Sequence, residues 1–458
     1  MNKLVKRLLS LANKMKPVQI IVIGFASVIL IGSLLLTLPI TTQSGESVGF
    51  IDALFTATSC VCVTGLVVVD TGTTWNLFGQ IICITLIQVG GLGFMTVATM
   101  FAIFTRKKIN LKERLVIQES LNQFDLSGLV KLVRYVVLIT FSIEIIGALI
   151  LSTVFVPQFG VVKGAWFSVF HAISAFCNAG FDLMGSTSGE FTSITSYVNN
   201  ATVSLTISIL IICGGLGYPV MLNIAKERKF SKFNLHTKLV LISTVTLIFV
   251  GMALIFIIEY KNPDSIAPLG MKGKLLASLF QSVTSRTAGF STLNLAAMDE
   301  SSLFVIIILM FIGASPASTG GGIKTTTLAV LILTVKSFIT GKSDIEVYER
   351  RIAPSVVKKS LGIFIVGISA AVTGTLLISM TQPGFNLTAS AFEVVSALAT
   401  VGSSLAGSAN LNLFGKLLII LCMFMGRVGS LTIFMAVLSF GRKKNQPISY
   451  PDGKIIVG

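Results

Sequence analysis

Long and short apolar stretches alternate along this chain, and the alternation sets the first expectation. About 20 apolar residues are needed to cross the hydrocarbon core of a bilayer as a helix, whereas runs of about 10 to 14 suit re-entrant or interfacial segments. Long runs lie near 18–40, 76–104, 130–156, 200–225, 237–260, 301–335, 355–381 and 411–440. They predict eight membrane-spanning helices. Within each successive pair sits a shorter run that begins on a phenylalanine-containing segment and ends in small polar residues and glycine: 50–66, 164–181, 272–290 and 389–403. These are too short to span.

The four short segments superimpose. Phe55, Ser59 and Gly65 are spaced as Phe-x3-Ser-x5-Gly, as are Phe170, Ser174, Gly180 and Phe392, Ser396, Gly402; the third copy, Phe280, Thr284, Gly289, is one residue shorter. Successive glycines are 115, 109 and 113 residues apart, so a unit of helix, short pore segment and helix recurs in one orientation. The expected fold is an all-α membrane protein of four such repeats around a pseudo-fourfold pore. The repeats are placed at 1–125, 126–232, 233–345 and 346–441, with a C-terminal tail at 442–458.

Non-helical backbone at membrane depth is tolerated only where it is buried in protein or lines a watery cavity. Four such stretches point to one shared cavity: Cys62-Val63-Thr64-Gly65, Cys177-Asn178-Ala179-Gly180, Arg286-Thr287-Ala288-Gly289 and Ala399-Thr400-Val401-Gly402. Each is read as an extended strand after a short pore helix. The glycine admits dihedrals closed to other residues, so carbonyl oxygens can turn toward an axis. Rings of carbonyls replace the hydration shell of a monovalent cation in potassium filters. The competing reading, glycines that only permit close helix packing, does not explain four copies at matched spacing.

Composition agrees with a membrane protein. Hydrophobic residues make up 53% and charged residues 12%, with a mean hydropathy of +0.88. The net charge of +16 raises nucleic-acid binding, but the basic residues fall in short runs between apolar stretches, as in Arg106-Lys107-Lys108 and Arg442-Lys443-Lys444. No basic domain with interleaved aromatics is present to hold a nucleic acid. With both termini cytoplasmic, 27 of the 35 Lys and Arg lie on the inner side and Lys163, Lys261, Lys272, Lys274 and Lys416 on the outer, as the positive-inside rule requires. Acids then outnumber bases outside, which would concentrate cations at the mouth. The six cysteines all fall in apolar segments and are expected to be reduced packing residues. Lys3, Lys6, Arg7, Lys14 and Lys16 precede the first run without a small-residue cleavage site, so that run is read as a first span and not as a signal peptide.

The chain resembles the Trk/Ktr/HKT superfamily of potassium transporters, and within it the Ktr-type membrane subunit of bacteria. The resemblance is carried by Phe55 to Ser59, Val63 to Gly72, His171 to Phe181, Thr284 to Phe290 and Gly313 to Thr326. It implies potassium-selective, channel-like conduction in a bacterial cell membrane, without enzymatic activity or a cofactor in this chain, potassium being the substrate. It further implies a homodimer of pore subunits on a cytosolic ring of nucleotide-binding, RCK-type regulatory subunits. The family's sodium-preferring members carry serine at the first filter position, where this chain has Gly65. No Gly-x-Gly-x-x-Gly follows a soluble strand, so nucleotide sensing is expected from a separate protein.

Two features inside the membrane are argued separately. The sixth run is interrupted by Gly313-Ala-Ser-Pro316 and by Gly320-Gly321-Gly322, because proline removes a backbone donor and glycine disfavours helix. The resemblance places this loop, with Ser315, Pro316, Ser318, Thr319 and Lys324, at the family's intramembrane gate below the filter. Arg427 falls midway along the last run, where a charge costs roughly 3 kcal/mol or more, so it is expected to face the cavity or a carboxylate beside that gate. Glu144, also mid-run, is read as an interhelical or dimer-contact hydrogen-bonding group. A potential of about 100 mV supplies about 2.3 kcal/mol per charge, enough for roughly fifty-fold accumulation without an ATP site. Two alternatives compete: a symporter, for which Glu393 is the candidate buried acid, and an intramembrane hydrolase using Ser315, whose only candidate bases are His171 and His236.

Overall fold

The computed structural model describes residues 17–105, 111–120, 129–342 and 344–429. The N-terminal basic cluster, the runs Arg106 to Lys108 and Arg442 to Lys444, the end of the last apolar run at 430–440 and the tail 442–458 lie outside the described residues. The helices are α1 (Pro17–Leu36), α2 (Phe50–Cys62), α3 (Leu77–Leu92), α4 (Phe94–Phe104), α5 (Leu111–Ser120), α6 (Leu129–Phe159), α7 (Val161–Phe176), α8 (Ala201–Leu216), α9 (Tyr218–Glu227), α10 (Leu235–Glu259), α11 (Met271–Thr287), α12 (Glu300–Ile312), α13 (Thr325–Ile339), α14 (Pro354–Thr381), α15 (Leu387–Ala399) and α16 (Leu413–Val428). Single-turn segments and one two-residue hairpin, Glu346–Val347 with Arg350–Arg351, complete the described secondary structure.

By length and composition α1, α6, α10 and α14 can each cross a membrane, and six spans result if the pairs α3–α4 and α8–α9 count as one each. Those pairs divide the runs 76–104 and 200–225, each read from the sequence as one span, into two arms. They bend by 93° and 97° at Gly93 and Gly217, whose φ values are +79° and +92°. Glycine adopts this backbone without the Cβ clash that other residues meet. Hydropathy carried no warning, because the apolar composition continues through both arms.

The chain's caps repeat with its helices. Asn76, Asn200, Asp299 and Asn412 each accept a backbone N–H in the first turn of α3, α8, α12 and α16, which satisfies donors that the helix leaves free. Small residues then let the helices approach, as membrane packing requires when lipid is as apolar as the side chains. Gly32 of α1 packs on Leu86, Gly147 of α6 on Leu210, Gly251 of α10 on Ser282 and Leu309, and Gly374 of α14 on Val394.

Contacts between units run around a closed circuit. Each of α3, α8 and α12 packs against the short helix of the following unit, α7, α11 and α15, and α16 returns to pack against α2. Lys416 of α16 donates to Asp52 of α2 at 2.6 Å, an ion pair at the point of closure.

Candidate functional site

The four short helices α2, α7, α11 and α15 end at the glycine-bearing strands, so the negative ends of four helix dipoles are directed at one place. The serine or threonine of each repeat ties its strand to its helix, a role the spacing alone did not disclose. Ser59 and Ser396 accept from the N–H of Gly65 and Gly402, both at 3.0 Å. Ser174 and Thr284 instead donate to the carbonyls of Phe181 and Phe290, both at 2.7 Å.

The glycines themselves form a ring. Gly65, Gly180, Gly289 and Gly402 have φ of +95°, +70°, +79° and +95°. A Cβ on Gly65 would collide with the carbonyl oxygen of Ala179, on Gly180 with that of Ala288, on Gly289 with that of Val401, and on Gly402 with that of Thr64. Each strand therefore abuts the carbonyl of the next, and the sequence of contacts closes on itself. Val63, Asn178 and Thr400 hold left-handed backbone two residues before their glycines. The third strand differs: α11 continues through Thr287, and Ala288 has φ of −116°. Its expected extended stretch from Arg286 is corrected accordingly, since the one-residue deletion removes the left-handed step. Arg286 is buried, and its Nη2 donates to the Gly313 carbonyl at 3.2 Å.

On one side of the ring lies a cavity of about 780 Å³ lined by all four glycines and by Asp70, Asp182 and Asp264. Asp70 is itself held, accepting from the N–H groups of Gly72, Thr73 and Phe191, and other acids are engaged away from this cavity. Asp52 pairs with Lys416, Glu259 accepts from Asn262 and from the Asp299 N–H, and Glu393 accepts from Ser404 and Ser408. Burial pushes the Asp182 carboxyl up to about 7, and neighbouring Asp70 adds to the rise. The Met184 N–H, donating to Asp182 at 3.0 Å, opposes it.

On the other side, the segment between α12 and α13 folds against the strands. The Asn178 amide meets the Thr319 hydroxyl at 3.1 Å, and that hydroxyl donates to the Phe176 carbonyl at 3.2 Å. Gly320 packs on Thr287, and Gly321 on Ala399 and Thr400. Ser315 pairs its hydroxyl with Thr325 at 2.9 Å, and the Pro316 carbonyl packs on Gly217. Lys324 returns its Nζ to the carbonyls of Gly320 and Gly321 at 2.6 and 3.2 Å. Ser318, Gly320, Gly322, Lys324 and Arg427 line a second cavity of about 300 Å³.

Arg427 lines the smaller cavity beside the loop, as one of its two expectations had it, and no carboxylate pairs with it. Its guanidinium donates to the Thr319 carbonyl and to those of Gly90 and Gly91, clamping the segment to the end of α3. Carbonyl dipoles, not a carboxylate, compensate its charge. Glu144 accepts from Gln88 at 3.1 Å and from the Cys177 thiol at 3.9 Å, bridging helices as expected of a hydrogen-bonding group. The described cysteines are all free thiols. Ser315 has threonine for a partner and His171 is bound to the Phe167 carbonyl at 2.7 Å, so the constellation a hydrolase needs is not assembled there.

Four glycines, each abutting a carbonyl of the next strand, thus lie between a cavity lined by three aspartates and the segment joining α12 to α13. Residues 6–440 match the TrkH family model, described as cation transport protein, and the chain belongs to that family. It is 43% identical over 442 residues to the Ktr system potassium uptake protein B of Bacillus subtilis, covering 96% of this chain and 97% of that one. It is 40% identical to the potassium/sodium uptake protein NtpJ of Enterococcus hirae, covering 97% and 98%. Among solved structures, the potassium transporter TrkH from Vibrio parahaemolyticus superposes with a TM-score of 0.73 over 94% of this chain and 86% of that one, at 18% identity. The fold is therefore shared well beyond the range of close sequence similarity.

Proposed function

We propose that this chain is the potassium-translocating subunit of a bacterial uptake system, conducting passively through the glycine ring. The closed circuit of glycine-to-carbonyl contacts carries the reading, because in it a backbone oxygen of each of four strands meets a glycine of its neighbour. In this reading eight spans form four repeats, with boundaries at 1–125, 126–232, 233–345 and 346–441. Both termini face the cytoplasm, and the acidic cavity opens outward. Potassium sheds water at Thr64-Gly65, Ala179-Gly180, Ala288-Gly289 and Val401-Gly402, then passes the loop 313–324 when the loop withdraws. The test is potassium uptake in a cell lacking its own uptake systems: expression of this chain should restore growth on limiting potassium, and accumulation of sodium alone would refute it.

The partner reading rests on the basic inner loops and on the Ktr naming of the relatives. Two copies of this chain sit on a cytosolic ring of nucleotide-binding subunits, which withdraws the loop. Uptake should respond to nucleotide only when that soluble partner is co-expressed. Full nucleotide-regulated flux from the isolated chain would contradict it.

Asp182 supplies a pH dependence. Its carboxylate is neutral below about 7 and charged above it, so attraction for cations at the mouth strengthens as external pH rises. The initial uptake rate at subsaturating potassium should rise about twofold between about one unit below that value and one above, a window set by the titration. Asp182→Asn should flatten the rise, and an unchanged profile in that variant would assign the dependence elsewhere, Asp70 and Asp264 being the other acids on the cavity.

A further inference from the structure

The residue that follows the repeat phenylalanine is polar in all four short helices: Thr56, His171, Gln281 and Glu393. All four are buried, and none is used by the ring as described above. In α15, the two carboxylate oxygens of Glu393 go to different hydroxyls. Ser404 donates to Oε2 at 2.7 Å and Ser408 donates to Oε1. Both serines lie on the chain leaving Gly402 and line the large cavity, whereas Glu393 sits behind them with no exposure. Ser404 in turn accepts from the Gly407 N–H at 3.0 Å, so the acid holds a whole loop.

The second repeat has a weaker version of the same arrangement. His171 donates from Nδ1 to the Phe167 carbonyl at 2.7 Å, which leaves Nε2 as acceptor for the Leu183 N–H at 3.5 Å, three residues past Gly180. In the first and third repeats Thr56 Oγ1 and Gln281 Oε1 are without a hydrogen-bond partner among the described residues. Through this one position, the outgoing chain is thus held in the second and fourth repeats and not in the first and third, among the described residues.

We propose that Glu393 is a positioning residue of the filter: through Ser404 and Ser408 it fixes the chain leaving Gly402, and so the spacing of the carbonyl ring, without meeting the ion. The proposal rests on the reading of the ring as the filter. It also removes the one acid that favoured a coupled symporter, because both oxygens of Glu393 are occupied by hydroxyls that stand between it and the cavity.

The test compares potassium and sodium uptake by the full chain in a transport-deficient cell. Glu393→Ala should lower the potassium-to-sodium ratio about fivefold or more, since both hydroxyl contacts are lost and one net hydrogen bond alone is of that size. The double variant Ser404→Ala/Ser408→Ala should lower it equally, and combining all three should add little, because one brace is lost in each case. Glu393→Gln, which keeps an acceptor and the volume, should stay within about twofold of the parent. If Glu393→Ala does not accumulate, the serine pair carries the test, being outside the helix. A ratio unchanged in the serine pair, while Gly65→Ser shifts it, would overturn the brace and leave the filter standing. A ratio unchanged in both would overturn the filter reading. A Glu393→Gln variant as impaired as Glu393→Ala would make charge, not hold, the requirement, and would overturn the proposal too.

Discussion

Gly65→Ser is expected to lower the preference for potassium over sodium about tenfold, and Gly289→Ser to do the same. Both positions hold left-handed backbone, at φ of +95° and +79°, where an L side chain costs roughly 1–2 kcal/mol. Relaxing the backbone offers no escape, because the added Cβ meets the carbonyl of Ala179 or Val401 in the next strand. The ring must open, and the oxygens that would replace water around potassium, the larger of the two bare ions, lose their common distance from the axis. A change of about 1.4 kcal/mol in the difference between the two ions is tenfold in selectivity. Assembly should survive, since Ser59 and Thr284 still tie the strands from behind. Relative uptake of the two ions in each variant is the measurement, and an unchanged ratio in both would sink the assignment.

Freeing the loop should raise flux by about fivefold or more while leaving ion preference nearly intact. Removing Gly320 to Gly322 takes out the residues that fill the space beneath Thr287, Ala399 and Thr400. Arg427→Gln removes the clamp on the Thr319 carbonyl, and hydrogen bonds to a charged group contribute about 1.5–3 kcal/mol. It also removes a positive charge from the pathway, whose repulsion of a cation grows in a dry cavity. Selectivity is held by ties to the short helices, which neither change touches. If the segment were a static kink holding α12 to α13, both variants would lose folded protein and flux together. Uptake per folded protein separates the two: a fall in that ratio, or altered preference at constant flux, would place the gate elsewhere.

The short helices were legible because two independent signals coincide on them. Phe, Ser and Gly recur at one spacing in three copies and as Phe, Thr and Gly one residue shorter in the third repeat, and each run is too short to span. Their positions in the structure, Phe50–Cys62 through Leu387–Ala399, follow the pattern closely. The bends at Gly93 and Gly217 were not legible from hydropathy, which reports composition and says nothing of direction. A second internal repeat did carry the signal: Gly90-Gly91-Leu92-Gly93 matches Gly214-Gly215-Leu216-Gly217, and in both the final glycine is the hinge. Lys324 takes the same left-handed backbone at φ of +79° where α13 begins.

Partners were the hardest thing to read. The mid-run position of Arg427 called for compensation but not for its source, because carbonyls at a helix end have no sequence signature of their own. The acids expected in the outer loops looked alike in one dimension, yet Asp52, Glu259 and Glu393 are spent on structural contacts away from the cavity, whereas Asp70, Asp182 and Asp264 line it, Asp70 while also accepting from the N–H groups of Gly72, Thr73 and Phe191. Only the fold separates acids that face a cavity from acids that hold it together.

The central claim is that this chain alone contains a potassium-selective path. It is tested most directly by reconstituting the purified chain in lipid vesicles and measuring potassium and sodium flux down equal gradients, with no other protein present. Cation flux should favour potassium by about tenfold, the ratio a difference of about 1.4 kcal/mol gives, and should rise in the variant lacking Gly320 to Gly322. Equal or greater sodium flux through the parent chain, or no cation flux from either protein, would contradict it.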